Sequence, residues 1–222
     1  MWNLPLPDKD TKDWYLKTFA QQVADNLKEV DAAVRSAYKE VLLPKGKRDI
    51  IDKLLTLEPE ASLKLCESKM DMMMKKLHKG GYDSSELPSF RTAKNKKQTN
   101  RDDEEEKLYV KYNDVMVNLH KVFDYKGLIS SKSDRSYELS KRKRAKTCTY
   151  CGREYIYTVE ELSEEDKVKQ VARPDFDHWL SHELYPMLAI NYCNLIPCCP
   201  ICNRSVKGTK LMKIGGKRPK VF

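Results

Sequence analysis

The sequence predicts an α+β chain, mostly α, with a helical N-terminal region and a small cysteine-rich C-terminal module. Two observations carry this. Between residues 11 and 123 apolar residues recur three and four apart, the period of one buried helix face. Beyond residue 147 that period is lost, and two Cys-x-x-Cys pairs frame short stretches that alternate as strands do. A serine-rich stretch, Leu128 to Asp134, lies between, so the expected division is 1–127, a linker and basic segment at 128–147, and the module at 148–222.

Composition narrows the class. With 34% charged residues, a mean hydropathy of −0.70 and no run near 18 apolar residues, a membrane-spanning helix is excluded. Residues 1–15 lack the basic-then-apolar pattern of an export signal, which predicts a cytoplasmic protein with reduced thiols. The net charge of +9 is uneven: 16 Lys/Arg against 9 Asp/Glu from Lys141 onward, but 26 against 24 before it. A phosphate-binding surface on the C-terminal part would produce this asymmetry; so would a basic protein with no polyanion partner.

Met1 to Asp8 reads as an extended arm, because Pro5 and Pro7 push their predecessors out of the helical region. Its apolar residues need a surface, either the chain's own helices or a partner. Thr11 to Leu43 is expected as one long helix, capped by Asp10 or Thr11 and ended by Pro44 and Gly46. Ile50 to Leu57 gives a short second helix. Pro59 opens a third, through Cys66, Met70, Met73 and Met74 to Leu77, closed by Gly80-Gly81. Its methionines read as core or as a soft binding surface. Tyr82 to Lys107 is the most loop-like stretch, basic from Arg91 to Arg101 and acidic from Asp102 to Glu106. The basic half is solvated chain or a DNA contact, and the acidic half suits a helix N-terminus. Leu108 to Phe123 forms a fourth helix, capped near Gly127. Tyr137 to Lys146 reads as a short helix ending in Lys141-Arg142-Lys143-Arg144, a cluster that grips phosphates or is plain surface. Cys66, His78 and His120 lack any partner pattern and are expected to be structural.

Zinc takes four soft or borderline ligands in a tetrahedron, and each Cys-x-x-Cys turn presents two thiolates. Cys148 and Cys151 make one knuckle, with Gly152 permitting the left-handed turn behind it. Cys199 and Cys202 make the other, on the first turn of a helix running from Pro200 to Lys207. Four thiolates close the site, so this zinc is structural. A module of about 70 residues buries too little apolar surface to stand without such a staple. Cys193 and Cys198 are surplus; Cys198 adjoins Cys199 but lacks the spacing. Disulfide pairing is the competing explanation, and a reducing compartment opposes it.

Arg173 to Trp179 alternates as a strand and ends in Asp177-His178; Tyr192 to Ile196 reads as a second strand. Between the Cys pairs, Asp177-His178 is followed by Asn194-Leu195, and Cys199-x-x-Cys202 by Asn203. This ordered set resembles the HNH endonuclease family over roughly the last third of the chain. The resemblance implies a treble-clef, ββα-metal fold that cuts nucleic acid with one divalent ion. It implies His178 as general base, since an imidazole can take a water proton near neutral pH. It implies Asp177 and Asn203 as ligands of a catalytic Mg2+ or Mn2+, a hard ion that prefers oxygen. Asn194 would hold the strand and loop that orient His178. Lys207 and Arg204 would contact phosphate, with Lys141, Arg142, Lys143 and Arg144 as further DNA contacts.

The sequence also departs from the commonest family pattern. Many members carry Pro three residues after the motif His and a Gly pair beyond it; here Ser181 and His182 follow, and His182 is an alternative ligand or base. The connection Tyr185-Pro186-Met187-Leu188-Ala189 resembles HNH effectors of Septu-type bacterial anti-phage systems, in which the nuclease works beside an ATPase. What the resemblance implies is a cytoplasmic nuclease acting on double-stranded DNA. The helical region would dock to a second copy, as a homodimer, or to a partner ATPase. A zinc-held nucleic-acid-binding module without cleavage, or an RNA-cleaving nuclease, fits the same residues. The basic tail from Thr209 to Phe222 lies along DNA or is disordered.

Overall fold

The computed structural model describes residues 4–162 and 168–207. The first residues of the expected arm and the basic tail, 208–222, lie outside the described residues. Helix α1, Lys9–Asp25, starts where the Asp8 carboxylate accepts a hydrogen bond from the Thr11 N–H at 2.9 Å. It buries Thr11, Tyr15, Phe19 and Val23 at intervals of four, with Ala20 beside Phe19 on the same face. The single long helix expected through Leu43 is a correction. The chain leaves α1 through a 3-10 turn at Asn26–Glu29, extends at Val30, and re-enters as α2, Arg35–Leu42. Side chains bonded across the fold make that break. The Asn26 amide donates to the Val122 carbonyl, the Asp31 N–H donates to Asn118, and Arg35 donates back to the Val30 carbonyl. Leu27 and Val30 stay buried, so the apolar stripe survives while the backbone does not.

Helices α3, Asp49–Thr56, and α4, Pro59–Lys76, follow the expected pattern, and Cys66, Met70, Met73 and Met74 are core residues. Within the stretch expected as loop lies α5, Leu87–Lys94, which buries Leu87, Phe90 and Ala93 and packs on α6, Asp103–Val122. Asp102 and Glu105 form a capping box, so α6 begins in the acidic run rather than at Leu108. Its end is Phe123; Gly127 belongs to a π-helical turn, Lys126–Ser130, whose Leu128 and Ile129 are buried. Helix α7, Ser133–Lys143, stops at Arg144 in the left-handed conformation, φ 54°.

Two antiparallel hairpins follow. Strands β1, Val159–Leu162, and β2, Val168–Ala172, form an outer ribbon. Strand β3, Asp175–His178, pairs with β4, Leu195–Cys198, so that Asp177 faces Ile196 and His178 faces Leu195. The expected second strand is therefore displaced toward the C-terminus: Tyr192–Asn194 is a 3-10 turn. Pro200 and Ile201 are helical, and Cys202–Lys207 is π-helical. Buried side chains form one connected cluster from Tyr15 to Cys202. The α1 end of it is tied to the C-terminal part by the Tyr15 hydroxyl on the Ile190 carbonyl at 2.7 Å. No described helix is long and apolar enough to cross a membrane.

Candidate metal centre and active site

The two cysteine knuckles converge. Sulfurs of Cys148, Cys151, Cys199 and Cys202 all lie within 4.8 Å of one another, and all seven cysteines of the chain are free thiols. The first knuckle closes with Gly152 at φ 65°, its N–H donating to the Cys148 carbonyl at 2.8 Å. In the second, the Cys202 N–H donates to the Cys199 sulfur, and the Cys199 N–H to the Cys148 sulfur. Against the upward push of burial, the backbone N–H groups of Glu154 and Arg153 bring the Cys151 thiol down to about 7. Four soft donors at this spacing fit a tetrahedral ion such as zinc. Cys198 turns away, its sulfur on the Asp175 carbonyl, and Cys193 stands apart.

The β3–β4 pairing brings the polar motif residues around one cavity of about 420 Å3. His178, Asp177 and Asn203 line it, joined by Arg91 of α5, by Asn95 at the end of that helix, and by Tyr125 and His182. His178 is buried, and its Nε2 lies 2.8 Å from the Ala189 carbonyl. A carbonyl only accepts, so Nε2 carries the proton and Nδ1 keeps the lone pair. The Tyr125 and His182 rings flank it at centroid distances of 4.6 and 4.5 Å. Burial, then the neighbouring His182, holds His178 down at about 3, so the ring is neutral near pH 7.

Asn194 braces this segment from behind. Its Oδ1 accepts from the Leu180 N–H at 2.7 Å, and its Nδ2 donates to the Leu180 and Leu188 carbonyls at 3.0 and 2.9 Å. Asp177 is buried between the Tyr150 hydroxyl and the Lys207 ammonium, which lies 2.6 Å from Oδ1 and 2.5 Å from the His178 carbonyl. This corner of hard oxygens thus holds a cationic group already. Asn203 donates its Nδ2 to Asp175 at 3.1 Å, which leaves its Oδ1 as an acceptor beside the cavity. Both Asp177 oxygens are thus engaged, and among the described residues the four cysteines are the one cluster of His, Cys, Asp or Glu placed to hold a metal ion.

Several expected contacts lie elsewhere. Lys207 does line the cavity, but it is only 6% exposed and its ammonium is paired with Asp177. Arg204 is exposed beside Asp175 at 3.6 Å. The basic run does not line the His178 cavity. Lys141 pairs with Glu160, Arg142 with Glu138 and Asp10, and Arg144 with Asp8. Lys143 is a correction to the expected basic surface: it is 4% exposed and bonds the Tyr192 carbonyl. Conversely, Arg91, Asn95, Tyr125 and Tyr150 join the site without any motif to announce them; only the basic character of the Arg91 stretch hinted at a role.

Helices, two small hairpins and a four-cysteine centre define an α-rich α+β protein with a candidate metal site. Among known proteins, the chain matches no protein family, no curated protein and no solved structure.

Proposed function

We propose that this chain is a metal-dependent HNH-type endonuclease that hydrolyses phosphodiester bonds of double-stranded DNA. One observation carries the reading: a neutral His178 with a free Nδ1 lone pair lines the same cavity as the oxygen donors Asp177 and Asn203. Nδ1 accepts the proton of the attacking water, and the Ala189 carbonyl holds the ring in the matching tautomer. The low proton affinity of His178 rises as a phosphate anion enters, because negative charge stabilises the imidazolium. Asp177 and Asn203 would hold the divalent ion, which when bound supplies charge neutralisation at the phosphate and the leaving oxygen. Arg91 supplies a cation from the helical region, held by Glu183 at 3.1 Å. The four-cysteine centre, taken as zinc, fixes the helical turn that carries Asn203.

The wider setting rests on the resemblance alone. It is a cytoplasmic effector of bacterial anti-phage defence working with a partner ATPase, or as a homodimer, since one such site cuts one strand. RNA cleavage needs no different residues, and competition between DNA and RNA substrates separates the two. A second reading, a nucleic-acid-binding module without cleavage, is favoured by Lys207, whose ammonium sits on the carboxylate the ion requires.

The deciding experiment is nicking of supercoiled plasmid with Mg2+ or Mn2+, wild type beside His178→Ala, with zinc content measured in both. Wild-type nicking is expected, slowed about 100-fold or more in the variant. DNA binding without nicking by zinc-loaded wild type, persisting when the partner ATPase is supplied, would establish the second reading instead.

A further inference from the structure

A second cavity, about 300 Å3, opens between the N-terminal arm, the end of α7 and the turn at Tyr192. It shares no lining residue with the cavity over His178. Leu4, Leu6 and Ile196 give it apolar walls, and the polar groups facing them are an unusual set. Lys143 is 4% exposed, donates one hydrogen bond to the Tyr192 carbonyl, and stands 3.6 Å from the centre of the Tyr192 ring. No described carboxylate lies within ion-pair distance of it; Glu58, on the same wall, is exposed at the rim. An ammonium has three donors, so one of them has neither acceptor nor ring. Burial brings this lysine down to about 7. Trp179 also lines the cavity, and its indole N–H is buried with no hydrogen-bond partner.

Burying an amine with a single acceptor and an indole N–H with none costs free energy that a methionine and a phenylalanine in their places would avoid. Both residues line one mostly apolar cavity whose size falls at the lower end for small-molecule sites. We propose that this cavity binds a small, mainly apolar carboxylate. Its anionic group accepts from Lys143, and its apolar body lies against Leu4, Leu6 and Ile196. The ligand supplies the counter-charge that the fold withholds. It would also touch residues next to the candidate active site: Tyr150 lines this cavity and places its hydroxyl on Asp177, and Trp179 directly follows His178, the last residue of β3. The binding site itself does not depend on the nuclease reading.

The test uses the full zinc-loaded chain and two probes of equal shape, phenylacetate and phenylacetamide. The Trp179 indole N–H resonance, assigned with Trp179→Phe, is followed by NMR during titration to about 10 mM, enough to detect millimolar affinity. A saturable shift with phenylacetate is expected, with the amide at least tenfold weaker. Lys143→Met, checked for zinc and helix content, is expected to weaken the acid at least tenfold and leave the amide unchanged. No saturable shift with the acid, or equal binding of acid and amide by wild type, overturns the proposal; the second outcome does so even if Lys143→Met fails to fold.

Discussion

Asn194 shows how much of the site rests on one side chain. Its amide satisfies three buried backbone groups, two on Leu180 and one on Leu188, on either side of the loop that carries His182. Asn194→Ala strands all three, at about 1 kcal/mol or more each, so a loss of about 3–5 kcal/mol in urea denaturation is expected. A loss below about 1 kcal/mol would mean that water or relaxation replaces the amide, and the bracing role would fall. Arg91 makes the opposite case, a residue that the proposed function would use more than the fold does. Its side chain is one-fifth exposed and half of an ion pair with Glu183, and such pairs add little stability. Arg91→Ala should therefore leave the thermal midpoint nearly unchanged while weakening plasmid binding and nicking roughly tenfold, with Lys only partly restoring them. Unchanged binding in low salt would remove Arg91 from the DNA-facing set.

Between elements, α6 meets the loop after β3 through His120, whose ring lies 5.7 Å from that of His182. Burial, then His182, lowers His120 to about 4. Above about pH 6.5 this imidazole is neutral folded and unfolded, so it contributes no pH dependence. Between about 6.5 and 4 the unfolded chain binds a proton that the folded chain refuses, and stability falls as the pH drops. Urea midpoints at pH 7 and pH 5 should show that fall, and His120→Gln should reduce it; an equal fall in the variant would assign the effect elsewhere. This contact was invisible in the sequence, where His120 is one of many polar residues on an amphipathic helix. Local signals were legible: the Cys-x-x-Cys pairs, the acidic start of α6, and Pro59 opening α4 are short-range chemistry. Long-range competition was not. Asn26 and Asp31 break the first helix through bonds to α6, nearly ninety residues or more away in sequence. Helix α5 carries only Leu87, Phe90 and Ala93 as its stripe, too few to show a period, so Arg91 and Asn95 could not be placed at the site. The β1–β2 ribbon went unread because its charged residues mask any alternation of burial.

Across the whole molecule, the cysteine centre and the helices belong to one core. Besides the Tyr15 bond to Ile190, the Asn191 amide donates to the Leu54 and Leu57 carbonyls at 2.7 and 3.1 Å, and the Tyr15 and Tyr192 rings meet edge-on at 5.4 Å. Three of the four cysteines are at most 3% exposed. Without an ion, thiolates this close repel one another, and thiols there lose the bonds that would hold the knuckles together. The damage should not stop at the module, because the turn carrying Asn191 also caps the end of α3. Stripping zinc with a strong chelator, or replacing Cys148 with Ser, should lower the thermal midpoint and take helical circular dichroism with it in a single transition. A two-step melt, with the helical signal keeping its original midpoint after metal removal, would show instead that the helices fold without the cysteine centre. The same sample answers a second question. If metal-free protein keeps full helix but loses plasmid nicking, the zinc serves only the turn that presents Asn203; if both vanish together, the centre holds the entire fold.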